Sequence, residues 1–468
     1  MCEQLGIMYI SSILRKHGHS TDIVQTDLED YIKKINEFRP DVLAYSSTTG
    51  EHRHLIDINK EIKRKYRHLF SVFGGPHPTF FPEMINEDGV DAIIIGEGEY
   101  TIIELIEALD KKMNYSNISG CWIKKDKHIY KNTIRPLVDD LDLIPFPDRE
   151  IMYDHDNNLK EFGEKRILIG RGCPFRCTYC FNNNLSKIYD HDWNKVRKRS
   201  VDNVIKEVRE IKRKNIIEFI RIVDDTFIMG RKEWLEEFSI KFKNEVNIPF
   251  FCNVRANLVT PEIAKLLKNA GCFSVFLAVE TGDEEIRNTV LKRNMSDKDL
   301  FNACSNLRKE KIKYGFYNIL CLPVDNAYEV DLKTLRLNIE LKPDMAWSSI
   351  FTPFPKTEMG QYSIEHQFFD GNFDSIDANP KIRSVLDFNS KKEKRKVENL
   401  HKLFGITVAF PFLLPLTKLL IRLPQNRIYN IINMGWYGWV LKVRMSTVKV
   451  TVPRLFKWAQ VALKHTIK

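Results

Sequence analysis

From residue 166 to residue 323 the sequence alternates short apolar runs with segments whose apolar residues recur at helical spacing. The runs fall at residues 166–169, 216–223, 249–254, 273–279 and 317–322, and they lead into a cysteine-rich loop, Asp224-Asp225, Arg255, Glu280 and Pro323. Val204, Ile205, Val208 and Ile211 mark one helical face over residues 201–212, and Thr260-Pro261-Glu262 reads as a capped helix start. Strands separated by helices pair in parallel, because a parallel neighbour needs a crossover of helical length. Five such repeats predict a full or partial β/α barrel with its chemistry at the carboxyl ends of the strands.

A shorter alternation precedes it. Residues 5–16 read as an amphipathic helix, 21–24 as a short strand, 41–46 as an apolar strand and 56–66 as a helix. Strands at 70–73 and 90–95 follow, the first running into Gly74-Gly75 and the second into Gly96-Glu97-Gly98-Glu99. This pattern predicts a doubly wound sheet that binds ligands at its strand ends. Residues 136–149, with three prolines and four aspartates, hold the chain extended. The expected fold class is therefore α/β: a Rossmann-like domain over residues 1–135, a linker over 136–164, a partial (β/α)6 TIM-like barrel over 165–370 and a helical region over 371–468.

Six of the nine cysteines (Cys2, Cys121, Cys252, Cys272, Cys304, Cys321) stand singly among apolar neighbours rather than in a disulfide framework, which points to a reducing cytoplasm. No secretory leader pattern is read, so the chain is expected to start near Met1. The other three, Cys173, Cys177 and Cys180, lie in a loop after a strand with C-x3-C-x2-C spacing. Three thiolates on so short a loop reach three corners of a cubane cluster and leave the fourth iron open. Structural zinc would want a second Cys or His pair, and none stands at suitable spacing. Zinc, or three merely structural cysteines, are the alternatives for the loop, and an iron-sulfur or zinc binding protein without catalysis is the alternative for the chain.

The segment Arg171-Gly172-Cys173-Pro174-Phe175-Arg176-Cys177-Thr178-Tyr179-Cys180-Phe181-Asn182 resembles the signature of the radical S-adenosylmethionine (SAM) superfamily, over residues 165–360. The resemblance implies a 4Fe–4S cluster on the three cysteines, SAM chelated at the open iron, and reductive cleavage to a 5′-deoxyadenosyl radical. It places Asp224 and Asp225 at the SAM amino group, Glu280 and Arg255 at the same cavity, and Tyr179 and Phe181 near the adenine. A helix cap, a structural ion pair or plain packing are the other readings of these residues. Where related proteins carry glycine this chain has Cys321, in Cys321-Leu322-Pro323, and Lys356, in Pro353-Phe354-Pro355-Lys356-Thr357. Cys321 is expected to put a side chain where backbone approaches a ligand.

Leu5-Gly6-Ile7, Ser46-Ser47-Thr48, Gly74-Gly75-Pro76-His77 and Gly96-Glu97-Gly98-Glu99 resemble the cobalamin-binding domain fused to many radical SAM enzymes. Ser46, Gly74 and Gly75 are then candidates for the nucleotide tail of cobalamin. Only four residues precede Leu5, too few for the family's first strand, and the Asp-x-His-x-x-Gly motif is missing. His52, His54 and His77 are weak candidate ligands against the commoner reading of surface histidines.

All of the net charge of +10 lies late in the chain: no Asp or Glu follows Glu398, while eleven Lys or Arg do. The charge-free stretch 403–417 is too short, and too interrupted by Pro411 and Pro415, to span a bilayer. With Trp436, Tyr437, Trp439 and Trp458 it reads as a peripheral contact with an anionic membrane face, a channel for an apolar substrate, or a helical cap over the barrel mouth. Nucleic acid is not expected. The resemblances together imply a radical SAM enzyme, with cobalamin-dependent methylation of an unactivated carbon as first reading. A cobalamin-independent cyclisation, rearrangement or carbon–carbon coupling is the second. The implied partners are a small-molecule or lipid-like substrate and a flavodoxin- or ferredoxin-like electron donor.

Overall fold

The computed structural model describes residues 3–25, 29–376 and 383–448. They form two compact units: one takes in residues up to 161 together with 184–197, the other residues 162–183, 198–375 and the C-terminal region.

In the first unit, strands β1 (Val42–Ser46), β2 (Phe70–Gly74) and β3 (Ala92–Ile94) run parallel in that order, and β3 pairs antiparallel with the hairpin β4 (Cys121–Lys125) and β5 (His128–Lys131). Helices Leu5–Lys16, His52–Lys65 and Glu99–Asp110 accompany the sheet. Val72, Ala92, Ile94, Leu105 and Ile123 share one apolar core, while Phe73, Ile85 and Ile93 share another. The strand expected at 21–24 does not form. Thr21 is held by side chains, Ser11 at 2.6 Å and Arg15 at 2.8 Å, and Asp22 pairs with Lys34, so polar ties replace a ladder. The hairpin went unread because its strands, rich in Lys, are only partly buried.

In the second unit six strands stand side by side, all parallel, in the order β13-β12-β11-β10-β9-β6. They are β6 (Glu164–Ile167), β9 (Phe219–Ile222), β10 (Phe250–Val254), β11 (Cys272–Glu280), β12 (Lys313–Leu320) and β13 (Met345–Ile350); β7 (Gly170–Arg171) and β8 (Arg197–Lys198) are two-residue strands outside this sheet. Crossover helices such as Val201–Lys214 and Pro261–Ala270 link the strands, and Thr260 caps the latter by accepting from the backbone N–H of Ile263. This is the partial barrel the repeats imply, with β13 as a strand the sequence reading did not mark.

The strands alternate sharply between faces. Ile220, Ile222, Cys252, Val254, Leu277 and Phe316 are completely or almost completely buried against the helices. The opposite residues Arg166, Arg221, Asn253, Ala278, Tyr317 and Trp347 all keep partial exposure, so the concave face encloses an accessible lumen. At its amino-terminal end Phe219, Phe251, Phe276 and Met345 pack with Tyr437, Val440 and Met445, and Ser274 donates to the Met445 carbonyl at 2.7 Å. Helix Arg427–Val443 and the residues after it therefore floor the lumen. Helix Lys391–Ala409 lies on β13 and on helix Ala327–Leu341. Helix Arg427–Val443 packs at the amino-terminal end of the barrel rather than over its mouth, where the sequence reading expected a cap. Trp458 and the last five basic residues lie outside the described residues.

Candidate active site

Cys173, Cys177 and Cys180 sit in the loop at the carboxyl end of β6, with free thiols. The loop is tied down from several sides. Thr178 donates through its hydroxyl to the Val290 carbonyl at 2.8 Å, and its own carbonyl accepts from Met359 N at 3.0 Å, just after the Pro353–Thr357 segment. Phe181 packs on Phe354 with ring centroids 5.1 Å apart. Burial pushes the Cys173 thiol up to about 11 and that of Cys180 up to about 12. Thiols so placed ionise only beside strong positive charge, which a metal ligand obtains from its metal.

Two guanidinium groups stand against the third cysteine. Arg255 and Arg293 are both buried, with nitrogens 3.9 and 3.8 Å from the Cys177 sulfur. Arg255 also lies 3.8 Å over the Phe175 ring and donates to the Arg293 carbonyl. Arg293 donates to the Tyr179 hydroxyl at 2.5 Å and to the Ala278 carbonyl at 2.6 Å, and it stands 3.6 Å from Glu280. Tyr179 in turn donates to Glu280 at 2.7 Å. Burial lowers the tendency of Arg255 to hold its proton and raises the pKa of the Glu280 carboxyl, the latter opposed by Arg293.

Glu280 reaches this cluster through a bulge. The β11–β12 register shifts between Ala278 and Glu280, and Glu280 takes a left-handed backbone with φ of 66°. Gly282 follows because a Cβ there would lie 2.5 Å from the Lys333 carbonyl oxygen and from Thr334 Cα. Sequence reasoning did not find Arg293. It belongs to no motif, and its position depends on Arg287, a fully buried side chain that donates to the carbonyls of Thr281 and Met295 and to Asp297, clamping the loop.

The two aspartates separate. Asp224 is buried, accepts from Ile169 N at 2.8 Å and leaves its other carboxylate oxygen without a partner. Burial pushes its pKa up to about 6, and burial pushes that of nearby Lys198 down to about 8. Asp225 is exposed, hydrogen-bonds Asn182 beside the cysteine loop and acts electrostatically on both Cys173 and Cys180. The glycine replacements also resolve. Cys321 and Lys356 both adopt positive φ, 60° and 62°, so the backbone keeps the form glycine favours at a cost of about 1 kcal/mol each. Contrary to expectation, the Cys321 side chain turns away into the apolar core beside Leu320 and Leu335, while its N–H donates to Asp331.

In the first unit the strand ends gather Ser46, Ser47, Gly74, Gly75 and Gly96. Ser46 is exposed, the buried Ser47 hydroxyl lacks a partner, and a Cβ on Gly74 would meet open space. These fit a polar, bulky tail. Gly75, by contrast, has φ of 94° and a Cβ there would come within 3.1 Å of the Ser47 backbone; one on Gly96 would collide with the Tyr189 hydroxyl. Both glycines are therefore required by the protein itself. His52 and His77 are not surface residues but a buried stack 3.8 Å apart; His54 is exposed.

Among the described residues, no three His, Cys, Asp or Glu side chains converge on a single-ion site. Residues 167–333 match the family model of the radical SAM superfamily. Those residues are a radical SAM domain. The chain is a radical SAM enzyme, and the family's cofactors are a 4Fe–4S cluster and SAM. Residues 1–106 match the B12 binding domain. An uncharacterized methyltransferase of Pyrococcus horikoshii is 29% identical over 374 residues, covering 77% of this chain and 78% of the relative. The anaerobic magnesium-protoporphyrin IX monomethyl ester cyclase of Rubrivivax gelatinosus is 24% identical, over 76% of this chain and 65% of that one. In fold, the chain is similar to the cobalamin-dependent SAM radical enzyme OxsB (TM-score 0.65, 16% identity, 100% of this chain and 73% of that one). It is likewise similar to the radical SAM methyltransferase TsrM of Kitasatospora setae (TM-score 0.63, 16% identity, 78% and 72%).

Proposed function

We propose that this radical SAM enzyme cleaves SAM reductively and methylates an unactivated carbon with the help of cobalamin. The observation that carries the first half is the loop of Cys173, Cys177 and Cys180, with two buried guanidinium groups against the Cys177 sulfur. The cluster supplies the electron for sulfonium cleavage, and cobalamin supplies a methyl carrier. The chain's own residues bind and orient. Exposed Asp225 takes the SAM ammonium in a charge-assisted hydrogen bond, and buried Asp224 fixes the end of β6 through Ile169. Glu280, Tyr179 and Arg293 form one locked polar group beside the cysteines, Arg255 caps it, and Phe181 with Phe354 offers an apolar wall for the adenine. Ser46, Gly74 and Gly75 border the place for the cobalamin tail.

The cobalamin-independent reading is favoured by one observation: Gly75 and Gly96 are accounted for by Ser47 and Tyr189, without a ligand. Anaerobic reconstitution with iron, sulfide, SAM and dithionite should yield 5′-deoxyadenosine. A preparation with intact cluster absorbance and no nucleoside would refute the cleavage reading. Retention of corrinoid absorbance after incubation with hydroxocobalamin and desalting decides between the two reactions.

A peripheral membrane contact is a further part of this proposal. Of the sixteen exposed large apolar side chains among the described residues, nine lie between Phe410 and Val443. The carboxylate-free sequence around them matches an anionic surface. No helix among the described residues is long and apolar enough to cross a membrane.

A further inference from the structure

Directly after Cys180 the chain reads Phe181-Asn182-Asn183-Asn184, and residues Phe181–Ile188 form a helix. Asparagine is a poor choice inside a helix, because its side chain competes with the helix for backbone groups. Asn184 is also buried, with 4% exposure, and among the described residues neither its amide nitrogen nor its amide oxygen has a hydrogen-bond partner. A carboxamide buried with both ends unpaired is less stable there than an apolar side chain of its size, so its presence calls for a group that pairs with it.

Residues 184–197 fold with the first unit, and side chains of that segment fix where Asn184 stands. The Tyr189 hydroxyl accepts from the Glu97 backbone N–H at 2.9 Å, and a Cβ on Gly96 would collide with that same hydroxyl. Arg197 donates to both oxygens of Glu97, at 3.1 and 2.9 Å, and to the Val138 carbonyl at 2.6 Å. The Gly96 N–H donates to the Thr79 hydroxyl at 3.0 Å, and Thr79 donates to the Gly75 carbonyl at 2.8 Å. The segment is thereby tied to the carboxyl ends of β2 and β3, and Asn184 lies about 7.5 Å of helix axis before Tyr189. Ser186 and the His191 ring, in the same segment, satisfy each other at 3.0 Å.

Those strand ends are where the tail of cobalamin is proposed to sit, and the corrin ring above such a tail is rimmed by acetamide and propionamide groups. A primary amide carries N–H donors and a C=O acceptor side by side, so two of them close a ring of two hydrogen bonds. We infer that Asn184 is a corrin-binding residue, its carboxamide pairing with an amide on the edge of the ring. The inference rests on the cobalamin reading and adds to it the contact that holds the ring, as distinct from Ser46, Gly74 and Gly75 at the tail.

The test titrates the full reconstituted chain with hydroxocobalamin and with cobinamide, which keeps the ring amides and lacks the nucleotide tail, and follows corrinoid absorbance. Asn184→Leu and Asn184→Ala should weaken both corrinoids by a similar factor, about tenfold or more. Gly74→Val, whose side chain would grow into open space at the tail, should weaken hydroxocobalamin and spare cobinamide. SAM affinity should stay within about twofold in every variant. The corrinoid-free Asn184→Leu chain should melt no lower than the wild type, because an unpaired buried amide has given way to an apolar group of like size. Corrinoid affinity unchanged in both Asn184 variants overturns the inference. So does a loss confined to hydroxocobalamin or to SAM, or a loss accompanied by a lower melting temperature of the corrinoid-free Asn184→Leu chain, which marks a structural amide. A wild-type chain that binds neither corrinoid overturns the cobalamin reading and this contact with it, whereas a wild type that binds both and is matched by Asn184→Leu overturns the contact alone.

Discussion

Arg293 places a guanidinium nitrogen 3.8 Å from the sulfur of Cys177 while the same nitrogen bonds the Tyr179 hydroxyl. One cation thereby touches both a proposed cluster ligand and the polar group that ends in Glu280. Positive charge at a ligand sulfur favours the reduced, more negative cluster. Arg293→Met should therefore lower the reduction potential: loss of about 1.5 kcal/mol corresponds to roughly 60 mV for one electron. Potentiometric titration followed by electron paramagnetic resonance measures this. An unchanged potential would show that the arginine serves the fold alone.

Cys177→Ala should leave no cluster absorbance after reconstitution, since two thiolates cannot hold the cubane. Cys321→Ala, at a cysteine buried in the apolar core, should keep the absorbance and lose only packing stability. A cluster that survived in Cys177→Ala would contradict the ligand set.

Asp225→Asn and Asp224→Asn should differ in kind. The first should weaken SAM about tenfold with thermal stability unchanged, because an exposed carboxylate loses its charge-assisted bond. The second acts through the fold. Asp224 has a folded pKa near 6, raised by burial above its ordinary 3.8. A raised acid gives its full relative stability below the unfolded pKa and loses it as pH climbs through the folded one. Wild-type stability should fall by about 3 kcal/mol relative to Asp224→Asn between pH 4 and 6, and the gap should then stay level. Urea midpoints at pH 4, 5, 6 and 8 read this directly.

Gly282→Ala should destabilise by about 1–3 kcal/mol, since the added methyl meets the backbone of Lys333 and Thr334 at 2.5 Å. Thermal melting checks it against Gly74→Ala, where the methyl meets nothing.

At the membrane-facing candidate, Phe412→Asp with Ile428→Asp should reduce co-sedimentation with phosphatidylglycerol vesicles and leave melting unchanged, as both side chains are largely exposed. Binding to neutral phosphatidylcholine vesicles alone would speak for a purely apolar contact.

Much of this fold was legible because β/α repeats leave a periodic trace: five of the six barrel strands and the Thr260 cap could be read from the chain. The cysteine loop was legible because metal ligation restricts both residue type and spacing. What escaped was whatever depends on distant partners. Arg293 gains its role from Arg287, and Glu280 from a bulge that no residue announces. The Asp224-Asp225 pair was visible, but only the path of the chain past the end of β9 buries the first and exposes the second. Gly75 read as a ligand glycine, yet its conformation answers to Ser47.

The packing of Tyr437, Val440 and Met445 across the amino-terminal end of the lumen has a kinetic corollary. With that base filled, a molecule lying against the sheet can leave past the cysteine loop at the carboxyl end or sideways between β6 and β13, the two edge strands that do not pair with each other. A guest held at the loop would then slow the departure of a deeper one by leaving it only the lateral route.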